Sequence, residues 1–197
     1  MQKKNLNLFV KINKSHLSLI VCKFDEEHNL KILEQLIEKN YGFQENKLVD
    51  FNSADNLLKK NIEKIETKFD CIFDEATIII DCFDEYCYNV SGFKRLDGSQ
   101  LIKENISYIL NLIKAAVTQN EKDKIILHIF NSKSVLDTVE IDNLPIGLFG
   151  NFYNHELSFF LVSNNDFKNL KKIFNKNNLN FKNVFLKKYI EGVELIK

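Results

Sequence analysis

The stretch that most constrains the fold is the apolar run "ATIIIDCF", Ala76–Phe83, which directly follows a long amphipathic segment. An apolar run bounded by charge reads as a strand buried on both faces, and such strands occur where helices cover a sheet. The preceding "ADNLLKKNIEKIETKF" places Ala54, Leu57, Leu58, Ile62, Ile65 and Phe69 on one helical face, with Ser53 as the expected N-cap. Upstream, "NLFVKI" and "HLSLIVCKFD" read as two strands joined by the polar turn Asn13–Lys14–Ser15. "LKILEQLIEKN" fits a third strand or a short helix equally well. Strands, helix and buried strand together predict an α/β unit.

The second half repeats the alternation. "YCYNVSGFKR" is a predicted strand, and Asp97 or Ser99 is expected to cap a helix carrying Ile102, Ile106, Ile109 and Ile113. "DKIILHIFNSKSVLDTVEI" reads as one strand, rich in β-branched residues, and "HELSFFLVS" as another. Asn164–Asp166 should cap a helix with Phe167, Leu170, Ile173 and Phe174 on its stripe, before a last strand, "FKNVFL". A domain boundary is expected near Cys87.

Site chemistry is sparse. His16, His28, His128 and His155 lack metal-ligand spacing, and Cys22, Cys71, Cys82 and Cys87 form no Cys-x-x-Cys pair; buried free thiols are expected. Asp81, Asp84 and Glu85 follow a buried strand, where α/β sheets bind ligands, but a solvated strand end is the favoured account of them. No glycine-rich phosphate motif occurs. Lys and Arg total 27, as do Asp and Glu, so no bulk field draws the chain to nucleic acid. No apolar run approaches the roughly 20 residues that span a bilayer. No metal, no catalytic residue and no enzymatic activity are expected.

One stretch stands apart. "EIDNLPIGLFGNF" holds Pro145, the only proline, and two of the six glycines, Gly147 and Gly150. Proline fixes φ and steers Leu144 away from helix, while the glycines permit positive φ or close backbone approach. The flanking elements and the core Leu144–Pro145–Ile146–Gly147–Leu148–Phe149–Gly150 resemble the FtsA family of bacterial cell-division proteins, which carry N-P-[IV]-G-[LM]-x-G here. Leu144 departs from that pattern.

The resemblance implies an incomplete actin-like (ribonuclease H-like) subdomain 1A over 1–86, a small SHS2 or 1C interaction subdomain over 87–180, and a return to 1A over 181–197. The small subdomain is expected to have a three-stranded sheet with two helices, Gln100–Val117 and Asp166–Asn177, on one face. Lys11, Asn13 and Lys14, with Ser15, align with the family's first phosphate loop, D-x-G-[ST], and lack its acid and glycine. The second loop, D-x-G-G-G-T, would follow Lys197. These residues are therefore expected to bind no cofactor, although ATP is the family's ligand.

The implied function is protein–protein interaction in divisome assembly at the inner face of the cell membrane. The implied partners are FtsA-like protomers and other divisome proteins, with FtsZ for the full-length family. Two alternatives are a PilM-like pilus scaffold and an ATP-binding protein completed beyond residue 197.

Overall fold

The computed structural model describes residues 6–27 and 29–195; His28 lies outside them. The elements are β1 (Asn7–Asn13), β2 (His16–Phe24), β3 (Leu30–Lys39), β4 (Phe43–Gln44), β5 (Lys47–Leu48), α1 (Phe51–Phe69), β6 (Glu75–Asp81), β7 (Glu85–Arg95), α2 (Lys103–Asn120), β8 (Lys124–Leu136), β9 (Val139–Ile141), β10 (Phe152–Ser163), α3 (Asn164–Lys176), β11 (Asn180–Leu186) and α4 (Lys187–Glu194). They form two compact units. One runs to Asp84 and resumes at Ser163; the other is Glu85–Val162, inserted between β6 and α3.

The first unit is built on a five-stranded sheet ordered β11-β6-β1-β2-β3. β1, β2 and β3 form an antiparallel meander, whereas β6 and β11 add in parallel to β1. The ambiguous stretch at Leu30 is thus a strand: it pairs with β2 along its whole length, which local periodicity cannot show. Val10, Leu19, Val21, Ile78 and Ile80 are wholly buried. Helix α1 offers Leu58, Ile62 and Ile65 to this core, and α3 offers Leu170, Ile173 and Phe174.

The second unit is a four-stranded antiparallel-type sheet ordered β7-β10-β8-β9 with α2 as its only helix. Ile109, Ile113 and Val117 of α2 pack on Tyr153, Leu157, Phe159 and Leu161 of β10. Glycine at position 92 of β7 lets the helix approach: a Cβ there would stand 2.8 Å from the Ile109 side chain.

Several local expectations change. The small sheet has four strands and one helix rather than three and two, because α3 packs on α1 and β11 in the first unit. The compact inserted unit ends at Val162, so the expected 87–180 span reaches beyond it through α3. Helix α1 starts earlier than expected, with Asp50 rather than Ser53 as its cap; Ser53 N–H donates to Asp50 Oδ1 at 3.0 Å. Helix α3 is capped by Ser163, whose Oγ accepts from Asp166 N–H, with Asn164 already inside the helix. The long apolar segment after Asp123 is two strands, folded back at Asp137, whose φ is 55°. Of the four cysteines, none of them in a disulfide, Cys22 and Cys82 are buried, Cys71 is half-buried and Cys87 is exposed, contrary to the expectation of a buried set.

Candidate functional site

The carboxyl ends of β1 and β6 lie side by side, with Asn13 in register with Asp81. The turn after β1 closes on itself. Asn13 Oδ1 accepts from Ser15 N–H at 2.9 Å and from His16 N–H at 2.6 Å, and Ser15 Oγ lies 3.2 Å away. Ser15 C=O accepts from Asn40 N–H at 2.7 Å, and Asn13 C=O from the Asn40 amide at 3.3 Å. Backbone donors in such a turn are what a phosphate needs. Here a neutral side-chain oxygen from the same turn occupies two of them. Lys11 sits within β1, opposite Ser18 and Ile79, and Lys14 is exposed at the turn.

The three acids after the buried strand are not brought together. Asp81 pairs with Lys187 at 3.4 Å, whose ammonium also reaches Glu191 at 3.5 Å. The Asp81 charge, with its hydrogen bond, pushes the Lys187 pKa upward. Asp84 accepts from the Asn46 side chain at 2.6 Å. Glu85 opens β7 in the other unit. No group of three or more potential metal ligands occurs among the described residues.

In the second unit, the Pro145–Gly150 segment forms a strap laid against residues 98–101. Pro145 is buried, and its carbonyl accepts from Leu148 N–H at 3.2 Å, closing a tight turn. Gly147 has φ of +93°, a conformation that strongly favours glycine. Its N–H donates to Leu101 C=O at 2.9 Å, Leu101 N–H returns a bond to Leu148 C=O at 2.8 Å, and the Gln100 amide donates to Gly147 C=O at 2.6 Å. Gly150 serves differently: a Cβ there would meet Leu136 Cδ1 at 2.7 Å. The two glycines thus meet two distinct demands, one conformational and one steric.

Asp137 secures the far end, its Oδ1 accepting from Asn151 N–H at 2.7 Å and Phe152 N–H at 2.9 Å. The ladder is also why α2 starts only at Lys103: Ser99 C=O accepts from Gly150 N–H, so neither Asp97 nor Ser99 is free to begin a helix. Asn105 Oδ1 takes the Ile102 N–H instead, at 3.0 Å.

The strap is anchored by backbone bonds and turns apolar side chains outward. Leu148 is 50% exposed, Phe149 70% and Phe152 51%, with Ile146 and Leu144 also open. Phe93, 70% exposed, lies on the same sheet face as Phe152, diagonally across the β7–β10 pair. Sequence reasoning identified the strap's backbone role; the outward set of Phe93, Phe149 and Phe152 emerges only once β7 and β10 are paired.

No family model and no curated protein matches the chain. Among solved structures, it is similar to one from the PilM-PilN type IV pilus biogenesis complex, with a TM-score of 0.59 at 6% identity, covering 93% of this chain and 48% of that one. The chain therefore spans about half the length of that structure. Weaker matches are to the cytoplasmic domain of EpsL, an inner membrane component of the type II secretion system of Vibrio cholerae, and to a Bacteroides thetaiotaomicron protein with actin-like ATPase fold. The first has a TM-score of 0.39 at 10% identity, covering 92% of this chain and 55% of that one. The second has 0.28 at 12%, covering 94% and 53%. Scores this low establish no common fold. The architecture is that of an incomplete actin-like domain. No helix among the described residues is long and apolar enough to cross a membrane.

Proposed function

We propose that this chain acts by protein–protein contact, as the interaction-bearing part of an actin-like scaffold in a membrane-associated assembly, and not as a nucleotide-hydrolysing enzyme. The observation that carries the reading is the strap: a backbone-anchored segment that displays Leu148 and Phe149 to solvent, with Phe152 of β10 and Phe93 of β7 also exposed. Exposed aromatic clusters held on a rigid frame mark protein contact surfaces. The self-closed Asn13 turn supports the negative half, because its donors are already used by Asn13.

For the identity of the assembly, the fold likeness to PilM favours a pilus-type scaffold that holds a short cytoplasmic segment of a membrane protein. The strap sequence favours a second reading, an FtsA-like protein whose inserted unit is an SHS2 or 1C module and whose partners are divisome proteins, FtsZ among them. Either reading locates the protein at the inner face of the cell membrane through its partners.

Capture of purified PilN-type cytoplasmic peptides and of purified FtsZ by the wild-type protein and by Phe149→Glu separates them. Binding of the pilus peptide, lost in Phe149→Glu, supports the first; binding of FtsZ supports the second. Binding of neither, or binding indifferent to Phe149→Glu, overturns the strap as a contact surface.

A further inference from the structure

β7 is an edge strand of eleven residues whose pairing with β10 runs from Glu85 to Arg95 without a register shift. Half of its backbone N–H and C=O groups therefore point away from the sheet. Natural edges are usually blunted by proline, a bulge or a central lysine. β7 has none of these, and residues 86–93 carry no charge.

Beside this edge runs an uncharged flank of α2. Lys94 Nζ sits 4.7 Å from the centre of the Tyr108 ring, which fixes Tyr108 on the β7 side of the helix. Helical steps of three and four from it give Asn105, Leu112, Ala115, Ala116 and Gln119 in one row. Tyr108 and Leu112 are about half exposed, at 53% and 51%. Because Tyr108 meets Lys94 while Ile113 reaches back over Gly92, α2 runs antiparallel to β7, with Leu112 to Ala116 near the middle of the strand.

We infer that this edge and flank are a docking surface for a second copy of the chain, joined β7 to β7 in an antiparallel two-fold pair centred on Val90. The sequence of β7 is complementary to itself in that register. Glu85 falls opposite Arg95 of the second copy and Lys94 opposite Tyr86, while Cys87 meets Phe93, Tyr88 meets Gly92 and Asn89 meets Ser91. No like charges oppose one another. Opposite-charge and aromatic cross-strand pairs each stabilise a ladder, and a two-fold contact requires this self-complementarity. The same axis sets the two α2 helices side by side, where Ala115 and Ala116 let them approach around Leu112.

The inference rests on the reading of the second unit as an interaction module and names one of its partners. It is tested separately from the capture experiments, so that loss of one leaves the other standing. Phe93 is exposed, so Phe93→Cys should leave the fold intact while placing a thiol opposite the native Cys87 of the second copy. Mild oxidation is expected to give a covalent dimer, abolished by adding Cys87→Ser.

By sedimentation, the wild type is expected to dimerise. Leu112→Glu and Leu112→Lys should each weaken the dimer by about tenfold or more, and their equimolar mixture should restore it. A wild type that stays monomeric at millimolar concentration, a dimer in which Phe93→Cys does not cross-link, or a dimer indifferent to both Leu112 changes overturns the pairing. So does a monomer whose β7 amides shift when a peptide strand of unrelated sequence is added but not when EYCYNVSGFKR, the sequence of β7 itself, is added, which assigns the edge to a foreign strand.

Discussion

Asp55 of α1 and Asn177, at the end of α3, are joined by a 2.8 Å hydrogen bond across 122 residues of sequence. Lys176 ion-pairs with the same carboxylate, which is buried. The pair closes the first unit over the insertion: whatever occupies 85–162, α3 must return to α1 for this acid to be satisfied. Burial pushes the Asp55 pKa up, but the hydrogen bonds and charge from Lys176 and Asn177 outweigh it and hold the carboxyl below its ordinary value.

Replacing Asp55 by Ala should therefore cost about 2 kcal/mol, since Asn177 loses a buried acceptor. A lower urea midpoint with an unchanged denaturant slope is the expected result. Because the folded pKa is depressed, the contribution is full above the unfolded value near pH 4 and fades as pH falls through the folded one. The variant's deficit should shrink in acid.

His155 predicts a second pH dependence of the same sign from a different cause. It is buried, its Nε2 lies 3.2 Å from Asn131 Oδ1, and its Nδ1 has no hydrogen-bond partner. Burial lowers its pKa, as it does for His128. The unfolded chain then binds more protons just below the ordinary value of about 6.5, so stability falls as pH drops from there. His155→Gln should flatten part of that slope in thermal melts, leaving the share that belongs to His128.

The two strap glycines should fail differently. Gly150→Ala forces a Cβ against Leu136 and is expected to cost about 1–3 kcal/mol as an overpacking strain, relieved by Leu136→Ala in the double variant. Gly147→Ala meets only the Gln100 side-chain amide, at an unstrained 3.7 Å, and suffers the left-handed backbone penalty, about 1 kcal/mol, which no second-site change at Leu136 relieves. Melting temperatures of the two singles and the two doubles with Leu136→Ala check this.

Much of the first unit was legible because its signals are local. The apolar run at Ala76 becomes β6, and the stripe from Ala54 to Phe69 becomes α1. The strand identity of Leu30–Lys39 and the late start of α2 were not legible, since each depends on a partner distant in sequence: β2 for the first, the strap for the second. Likewise the stripe of α3 is plain in the sequence, but its periodicity says only that one face is buried. That the face belongs to α1 and β11 rather than the small sheet follows from Asp55, an acid on α1 with no such signature. The fold-back at Asp137 left a trace, because a single strand of that length is unusual.

Of the candidate site, the strap's glycines were legible as backbone devices, whereas its outward aromatic face required the β7–β10 register. The departure of Lys11, Asn13 and Lys14 from a phosphate-loop pattern was visible in sequence. The way Asn13 fills its own turn was not.

Action by contact rather than by nucleotide chemistry is the proposed role of this chain, and calorimetric titration with Mg-ATP tests it most directly. With Ser15 and His16 N–H already bonded to Asn13, the prediction is no saturable binding up to millimolar nucleotide. The same null result is expected for Asn13→Ala, which frees those donors without supplying the missing acid. Saturable micromolar binding by the wild type, abolished by substitutions at Asn13 or Ser15, would contradict it.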